Sequence, residues 1–597
     1  GELAFGLSSE EPFNRLYGRI QLFPWLEAVV RYTEGTYKAY NPGSQQTWKD
    51  KGIDAKIRLI KESNFLPSLA IGLSDFGGTG AYSSEYIVAN KSYGSFDFTL
   101  GMGWGVLGER GHFSNPLGFI SDKFKVRGGP GGSGSLLGGA LGLGRMFSGE
   151  KAALFGGVEY FSSSYPGLTI KAEYDSSKYS DAAGACYYIF DCQKKGDVVI
   201  DSPLNFSLNY GFKVGYRDNL DFSLGYVRGN TILASVALHS NLNDFGIKKI
   251  TMGTETLKEQ TLKPYEQLTD GWKKYLKDLI IYQMARSGFT VHKIIFDNEE
   301  LIVEISQVAY PNPINAMDLA SRIVANNAPK NIETITIVNF DSGIESLRTT
   351  IPIKDIQKTV PIRPLNVNDF SFNSFRELSP DALSFDNESL YPDFTWWIQP
   401  NMTGTLQHQE KFYFWQLEAL INANLAISNG TYLKGSYGVK IKNNFEDYTY
   451  HVPDGKLHHV RQDRRLYLTE GENGLRYLFF DYLTNISPNI KARLAAGYIE
   501  WMYGGVGGEI LYTPDSQHWS LGLDIYRVKQ RDFNQRFGFQ EYETTTGFLT
   551  FYYNIPFADL RLIASYGKFL GQDVGYDLEI SRRFDTGARV GAKLAQT

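Results

Sequence analysis

Hydrophobic residues recur at every second position over long stretches of this chain. The clearest case is 204–227, LNFSLNYGFKVGYRDNLDFSLGYV. Leu204, Phe206, Leu208, Tyr210, Phe212, Val214 and Tyr216 share one parity, and Asn205, Ser207, Asn209, Gly211, Lys213 and Gly215 share the other. A polar turn, Arg217-Asp218-Asn219, precedes a second alternating run at Leu220, Phe222, Leu224 and Tyr226. Period two predicts strands with one apolar and one polar face, here joined as a hairpin. Soluble strands usually run about 5–6 residues. The first of these keeps its alternation roughly twice as long, enough for a tilted membrane-crossing strand of about 9–11 residues. The pattern predicts a lipid-facing row of Leu, Phe and Tyr, with polar residues and glycine facing a lumen.

The same reading to about Asn241 gives about twelve strands, near 2–8, 15–23, 26–37, 52–61, 66–76, 83–92, 95–107, 153–162, 167–175, 204–216, 220–228 and 231–241. Short connections (Phe23-Pro24-Trp25, Lys91–Gly94, Arg217–Asn219) alternate with mostly longer ones (Thr36–Lys51, Glu109–Lys151, Ser176–Pro203). Bacterial barrels pair short periplasmic turns with long extracellular loops, so the long connections are expected outside. From about residue 392 the pattern returns, with about eleven strands near 392–405, 411–428, 432–444, 474–485, 490–502, 506–513, 518–530, 543–555, 559–569, 574–584 and 587–595. A closed bacterial barrel needs an even number, so a further C-terminal strand is expected.

Between the two lies a different texture. Tyr265–Ser287 reads as an amphipathic helix with Trp272, Tyr275, Leu276, Leu279, Ile280 and Met284 near helical spacing. Phe289–Phe296, Leu301–Val308, Ile332–Phe340 and Leu347–Ile353 read as strands, and Asn315–Asn327 as a second helix. This order predicts a small α+β domain. The expected fold is therefore mainly β, an outer-membrane barrel protein in three parts. These are an N-terminal barrel half (1–244), a periplasmic α+β domain (245–365) and a C-terminal barrel half (366–597). Two tandem barrels are the preferred arrangement, and one barrel of about 24 strands is the alternative.

Composition agrees with this. The 597 residues include 38 Tyr, 39 Phe and 61 Gly, with 42% hydrophobic residues overall, as expected where apolar residues take only alternate positions. No run of about 20 apolar residues predicts a transmembrane helix. A net charge of −5 gives no reason to expect nucleic acid. Cys186 and Cys192, in CYYIFDC, suit a loop disulfide in an exported protein. The glycine run at 126–144 lacks the Lys-Ser/Thr ending of a phosphate-binding loop and reads as a flexible or lumen-folded loop.

Several stretches resemble the YjbH/GfcD family of outer-membrane proteins from exopolysaccharide and group 4 capsule clusters. They are FPWLEAVVRYTE (23–34), GLSDFGGTGAYSSEYIVANK (72–91), AAGYIEWMYGGVGGEILY (495–512), VKQRDFNQRFGFQEY (528–542) and ISRRFDTGARVGA (580–592). The family pattern runs on at both ends, with residues before Gly1 that often include a lipoprotein cysteine and a final strand after Thr597. The resemblance implies a role in polysaccharide secretion or surface assembly, as conduit or scaffold. Its partners would be outer-membrane lipids, the polysaccharide, and periplasmic and lipoprotein products of the same cluster. It implies no catalytic residues and no cofactor.

A glycan path needs inward hydrogen-bonding groups. The candidate contacts are Lys529, Arg531, Asp532, Asn534, Gln535 and Arg536 at one strand end, and Arg461, Asp463, Arg464 and Arg465 in the preceding long loop. Arginine forks suit carboxylates of an acidic polymer, or brace the wall by pairing with its own acids. Asp75, Ser84 and Glu85 flank a GGTG turn and read as turn chemistry and interior pairing; Trp501 and Tyr503 read as membrane-interface anchors. His458-His459 lacks a third ligand nearby, so no metal site is expected. The inward glycines 101, 103, 105, 211, 215 and 225 suggest close approach of a plug-like loop or a narrow path. The competing reading is an outer-membrane hydrolase acting on glycan or lipid, without a GxSxG signature to support it.

Overall fold

The structure, a computed structural model, describes residues 1–39, 47–78, 80, 82–127, 146–179, 198–214, 218–243, 256–310, 313–356, 378–406, 413–449, 458, 460–514, 518–556, 559–584 and 586–597. Cys186, Cys192 and most of the glycine run lie outside these residues.

Thirteen strands form the first sheet: β1 (Glu2–Glu10), β2 (Phe13–Phe23), β3 (Leu26–Ala39), β4 (Thr47–Ile60), β5 (Ser68–Gly78), β6 (Ser84–Tyr93), β7 (Phe96–Gly105), the two-residue β8 (Phe113–Ser114), β9 (Lys151–Phe161), β10 (Leu168–Tyr174), β11 (Leu204–Val214), β12 (Asp218–Val227) and β13 (Thr231–Asn241). Each long strand pairs antiparallel with its neighbours, β13 pairs with β1, and β9 with both β7 and β10. The ring of twelve is therefore closed, which removes every edge from it. The N-terminal half closes without strands from the C-terminal half, so one continuous barrel wall of about 24 strands is not formed.

The hairpin that set the pattern behaves as its alternation demands. Phe206 faces Tyr226, Leu208 faces Leu224 and Tyr210 faces Phe222, all exposed on the outer wall, while Asn205 on the other parity is buried. A row of Leu, Phe and Tyr left this exposed has no protein core to enter and suits a hydrocarbon surround.

The middle elements are α1 (Asp270–Arg286), β14 (Phe289–Asp297), β15 (Glu300–Gln307), α2 (Pro313–Asn326), β16 (Thr334–Asp341), β17 (Ile344–Pro352) and β18 (Leu383–Asp386). Their sheet runs β17-β16-β15-β14-β18, with β15 and β16 parallel through the α2 crossover. Leu276, Ile280 and Met284 of α1, spaced four apart, enter a shared core with Val303, Ile323 and Ile337. Trp272 and Tyr275, expected on that face, are exposed instead. The helix is shorter than its pattern suggested, because Tyr265–Gln267 forms a separate 3-10 turn after Pro264.

Eleven antiparallel strands form the last sheet: β19 (Asp393–Leu406), β20 (Tyr413–Ser428), β21 (Thr431–Asn443), β22 (Gly474–Ser487), β23 (Ile490–Tyr498), β24 (Tyr503–Tyr512), β25 (Trp519–Arg531), β26 (Phe539–Ile555), β27 (Leu560–Lys568), β28 (Val574–Arg583) and β29 (Arg589–Gln596). No pairing of β19 with β29 occurs among the described residues. The α+β sheet meets this one where the β16–β17 hairpin tip seats Gly343 on Gly430, in the turn between β20 and β21. Both glycines have positive φ (89° and 85°), and a Cβ on Gly343 would collide with the Gly430 Cα.

Candidate functional site

The two charged clusters expected from the sequence meet at the long-connection end of the eleven-stranded sheet. A short helix, α3 (Arg464–Thr469), lies in the β21–β22 connection. Its Tyr467 is buried and donates its hydroxyl to the Arg531 carbonyl at 2.5 Å, and burial pushes that phenol up to about 12. Gln535 donates Nε2 to the Tyr467 carbonyl at 2.7 Å. Met502, Tyr503 and Val528 close around Tyr467, with Trp501 and Phe533 packed against them. The connection thus carries a small apolar core of its own, which holds it down as a cap. Trp501 and Tyr503 belong to that core: Tyr503 points inward at 2% exposure, so it is not a membrane-interface anchor.

Arg531 is the centre of the cap. Its side chain is wholly buried. Nη1 donates to the carbonyls of Arg476 (3.2 Å) and Glu500 (2.8 Å); Nη2 donates to those of Leu475 (2.9 Å), Gln535 (3.2 Å) and Arg536 (3.2 Å). The guanidinium carbon lies 4.8 Å from the Tyr498 ring centroid. One side chain therefore ties three separate chain segments through their backbones, using the fixed fork that lysine lacks. Arg476 makes a second tie, to Glu418 at 2.5 Å and to the Gln535 side chain at 2.6 Å.

Deeper along the sheet the inward positions are cross-braced. Lys434 and Arg493 both reach Asp481 at 2.7 Å. Arg493 also meets Glu509 at 3.1 Å, which accepts the Tyr526 hydroxyl at 2.5 Å. These residues were missed in the sequence, although each is a charge or phenol on the polar parity of its strand, and that is the signal that would have found them.

The remaining candidates divide. Arg461 pairs with Glu500 at 2.7 Å with 48% of its side chain exposed. Arg464 donates to the Thr405 hydroxyl at 3.0 Å and the Gly404 carbonyl at 3.3 Å, and its burial pushes the guanidinium down. Arg465 donates to the Tyr448 carbonyl at 3.0 Å. Asp463 starts α3 and its carbonyl accepts the Tyr467 N–H at 3.3 Å. The Asp532 carbonyl accepts the Gln535 N–H at 3.0 Å, and Asn534 Oδ1 accepts the Arg536 N–H at 2.9 Å; Asn534 and Arg536 are exposed. Lys529 departs from the inward placement expected of a path. It shares the parity of Leu521, Leu523 and Ile525 and so lies on the outer face. Arg531 escapes that parity because a bulge falls between Lys529 and Arg531. His458 bonds Gln530 at 3.0 Å and stacks on Tyr542; His459 lies outside the described residues. Among the described residues no cluster of His, Cys, Asp and Glu could hold a metal.

The twelve-stranded barrel is also filled at its long-connection end. Phe13, Trp48 and Tyr82 form a buried cluster with Tyr179 and Val198, and Arg15 lies over Phe13 at 5.2 Å. Asp75, at φ 49°, accepts the Tyr82 N–H at 2.9 Å and donates its own to Asp54 at 2.7 Å; aspartate is among the few side chains that take this backbone region. Glu85 pairs with Arg127 at 2.7 Å. After Gly105 the chain turns into the lumen, where a Cβ on Gly103 would meet Leu107. Gly101 makes room for the ring of Phe155 rather than for a loop.

The closed ring of twelve antiparallel strands, with its apolar row outside, defines a β-barrel protein. All of it, residues 1–597, matches the family described as exopolysaccharide biosynthesis protein YbjH. A relative from Escherichia coli strain K12, named uncharacterized lipoprotein YjbH, is 32% identical over 607 residues, spanning 99% of this chain and 82% of its own. The chain belongs to this family. Among solved structures, a KdgM porin aligns at 9% identity with a TM-score of 0.22, over 40% of this chain and 99% of its own. The siderophore receptor PiuA from Acinetobacter baumannii aligns at 9% identity with a TM-score of 0.18, over 100% and 77%.

Proposed function

We propose that this protein sits in the bacterial outer membrane and serves exopolysaccharide or capsule secretion as a scaffold for surface assembly, rather than as an open conduit. The observation that carries the choice is the Arg531-centred cap. An open path does not need a buried guanidinium tying the start of β22 to the β23–β24 and β25–β26 connections at its rim. The aromatic cluster at the matching end of the first barrel supports the same reading. In this reading the second sheet is a barrel wall of its own, following the first in tandem, with the long connections outside the cell. The α+β domain lies in the periplasm, because its hairpin meets a short turn of the second wall. Its partners there are periplasmic and lipoprotein products of the same secretion cluster.

Two measurements test this together. Deleting the gene is expected to lower surface exopolysaccharide, with recovery on complementation. The purified protein in planar lipid bilayers is expected to give no steady ion current. A deletion strain with unchanged polymer would sink the secretion role, and a stable large conductance would sink the scaffold in favour of a conduit.

A further inference from the structure

We infer that the lumen of the twelve-stranded barrel contains a saccharide subsite selective for non-acidic units, those bearing hydroxyl or amino groups rather than carboxylates. The inference rests on the proposed role in polysaccharide handling and names the chemistry that role would meet inside the first barrel. A cavity of about 440 Å³ lies against the inner faces of β7, β9 and β10. That volume is within the range of about 300–1,000 Å³ usual for small-molecule sites. It runs from Asp97, just after the short β6–β7 turn, to Asp175, just past the end of β10, where Leu107 of the inturned loop covers it.

The lining has a definite chemistry. Asp97, Glu159, Glu173 and Asp175 contribute carboxylates, and Lys171 is the cation among the lining residues, paired with Glu159 at 3.0 Å. The other three acids are only partly engaged. Glu173 takes one bond, from Asn205 Nδ2 at 2.9 Å. Asp175 takes the Ser177 N–H at 2.9 Å and the Tyr179 hydroxyl at 3.2 Å. Asp97 takes the Ser92 hydroxyl at 3.1 Å and the Asn90 amide. An ionised carboxylate has about four acceptor positions, so the cavity offers more acceptors than its own donors fill. A ligand there must bring donors, as hydroxyl or ammonium groups do. A uronate would bring another anion against this wall, and like charges at close range are costly. Phe155, which lines the cavity, supplies the apolar element that the C–H face of a sugar would meet; its ring lies against Gly101 and perpendicular to that of Tyr86, 5.8 Å between centroids.

The test uses the full chain in detergent micelles and ligand-observed saturation-transfer NMR with three probes: the β-1,4-linked glucosamine disaccharide, cellobiose and digalacturonate. The first two are expected to bind at least about tenfold more tightly than the third. Glu173→Gln keeps the side-chain shape and is expected to weaken the glucosamine disaccharide most. Phe155→Leu is expected to weaken both favoured sugars alike; should it fail to fold, as judged by heat-modifiable gel mobility, Glu173→Gln carries the test. Equal binding of all three probes, no binding of the first two, or wild-type affinities in a folded Glu173→Gln variant would overturn the subsite. Loss of the subsite would leave the secretion role standing, since that role is decided by surface polymer in the deletion strain.

Discussion

Replacing Arg531 by lysine keeps the charge and removes the fork. Arginine here uses four N–H groups of its two terminal nitrogens to reach five backbone carbonyls. Lysine offers three N–H groups from one nitrogen, so at least two carbonyls lose their donor. Hydrogen bonds to charged groups are worth about 1.5–3 kcal/mol each, which puts the loss at about 3–6 kcal/mol. Three of the carbonyls (Glu500, Gln535 and Arg536) sit in connections and the other two (Leu475 and Arg476) at the very start of β22, so the loss should fall on the cap and the strand's end and leave the rest of the wall intact. Arg531→Lys is therefore expected to remain heat-modifiable on gels, to gain protease cleavage within 458–473 and 532–538, and to show flickering ion current in planar bilayers. A variant as resistant and as silent as the parent would refute the idea that this guanidinium holds the cap. Global unfolding would refute the separation of cap from wall.

Further tests address other parts. Arg322→Met leaves Asp318 buried without its partner at 2.7 Å and is expected to cost about 3–5 kcal/mol, with Asp318→Leu in the same chain recovering most of it; urea melts of α+β fluorescence would show this. His292 is held down to about 4 by burial, between Ser306 and Tyr391, so the unfolded chain binds the extra proton first. Stability should thus be level above about 6.5 and fall as pH drops from there towards 4, and His292→Phe should flatten that window in pH-dependent melts. Gly343→Ala strains a positive φ against Gly430 and is expected to cost about 1–3 kcal/mol, read as faster proteolysis between the α+β domain and the eleven-stranded sheet.

The wall was legible because period two is a covalent fact of the strand. The alternation through 204–227 placed Phe206, Leu208 and Tyr210 outside before any contact was known. Closure of the first half as a ring of about twelve strands was expected from the strand count, and β13 pairing with β1 bears it out; that β9 pairs with β7 across a connection of more than forty residues is a partner that local alternation alone does not name. The candidate cluster was legible as a concentration of charge at one strand end, but its use was not. Nothing in the sequence says that Arg531 turns to carbonyls rather than to a carboxylate, because the bulge that frees it from its parity has no side-chain signature. Lys529 shows the opposite: its outward placement could have been read by extending the parity of Leu521, Leu523 and Ile525.

In the first barrel, Tyr17 lies over Gly6, Tyr86 over Gly72 and Phe155 over Gly101, each ring occupying the place of a missing side chain. The bore is therefore calibrated by hard parts. A ring bedded in the wall cannot swing aside as a lysine can, so the aperture is set when the strands pair and does not breathe with side-chain rotation. Glycine and alanine codons differ by a single base. One point mutation at any of these positions would tip a ring off its seat and reset the aperture, giving evolution a stepwise dial on what the barrel can hold.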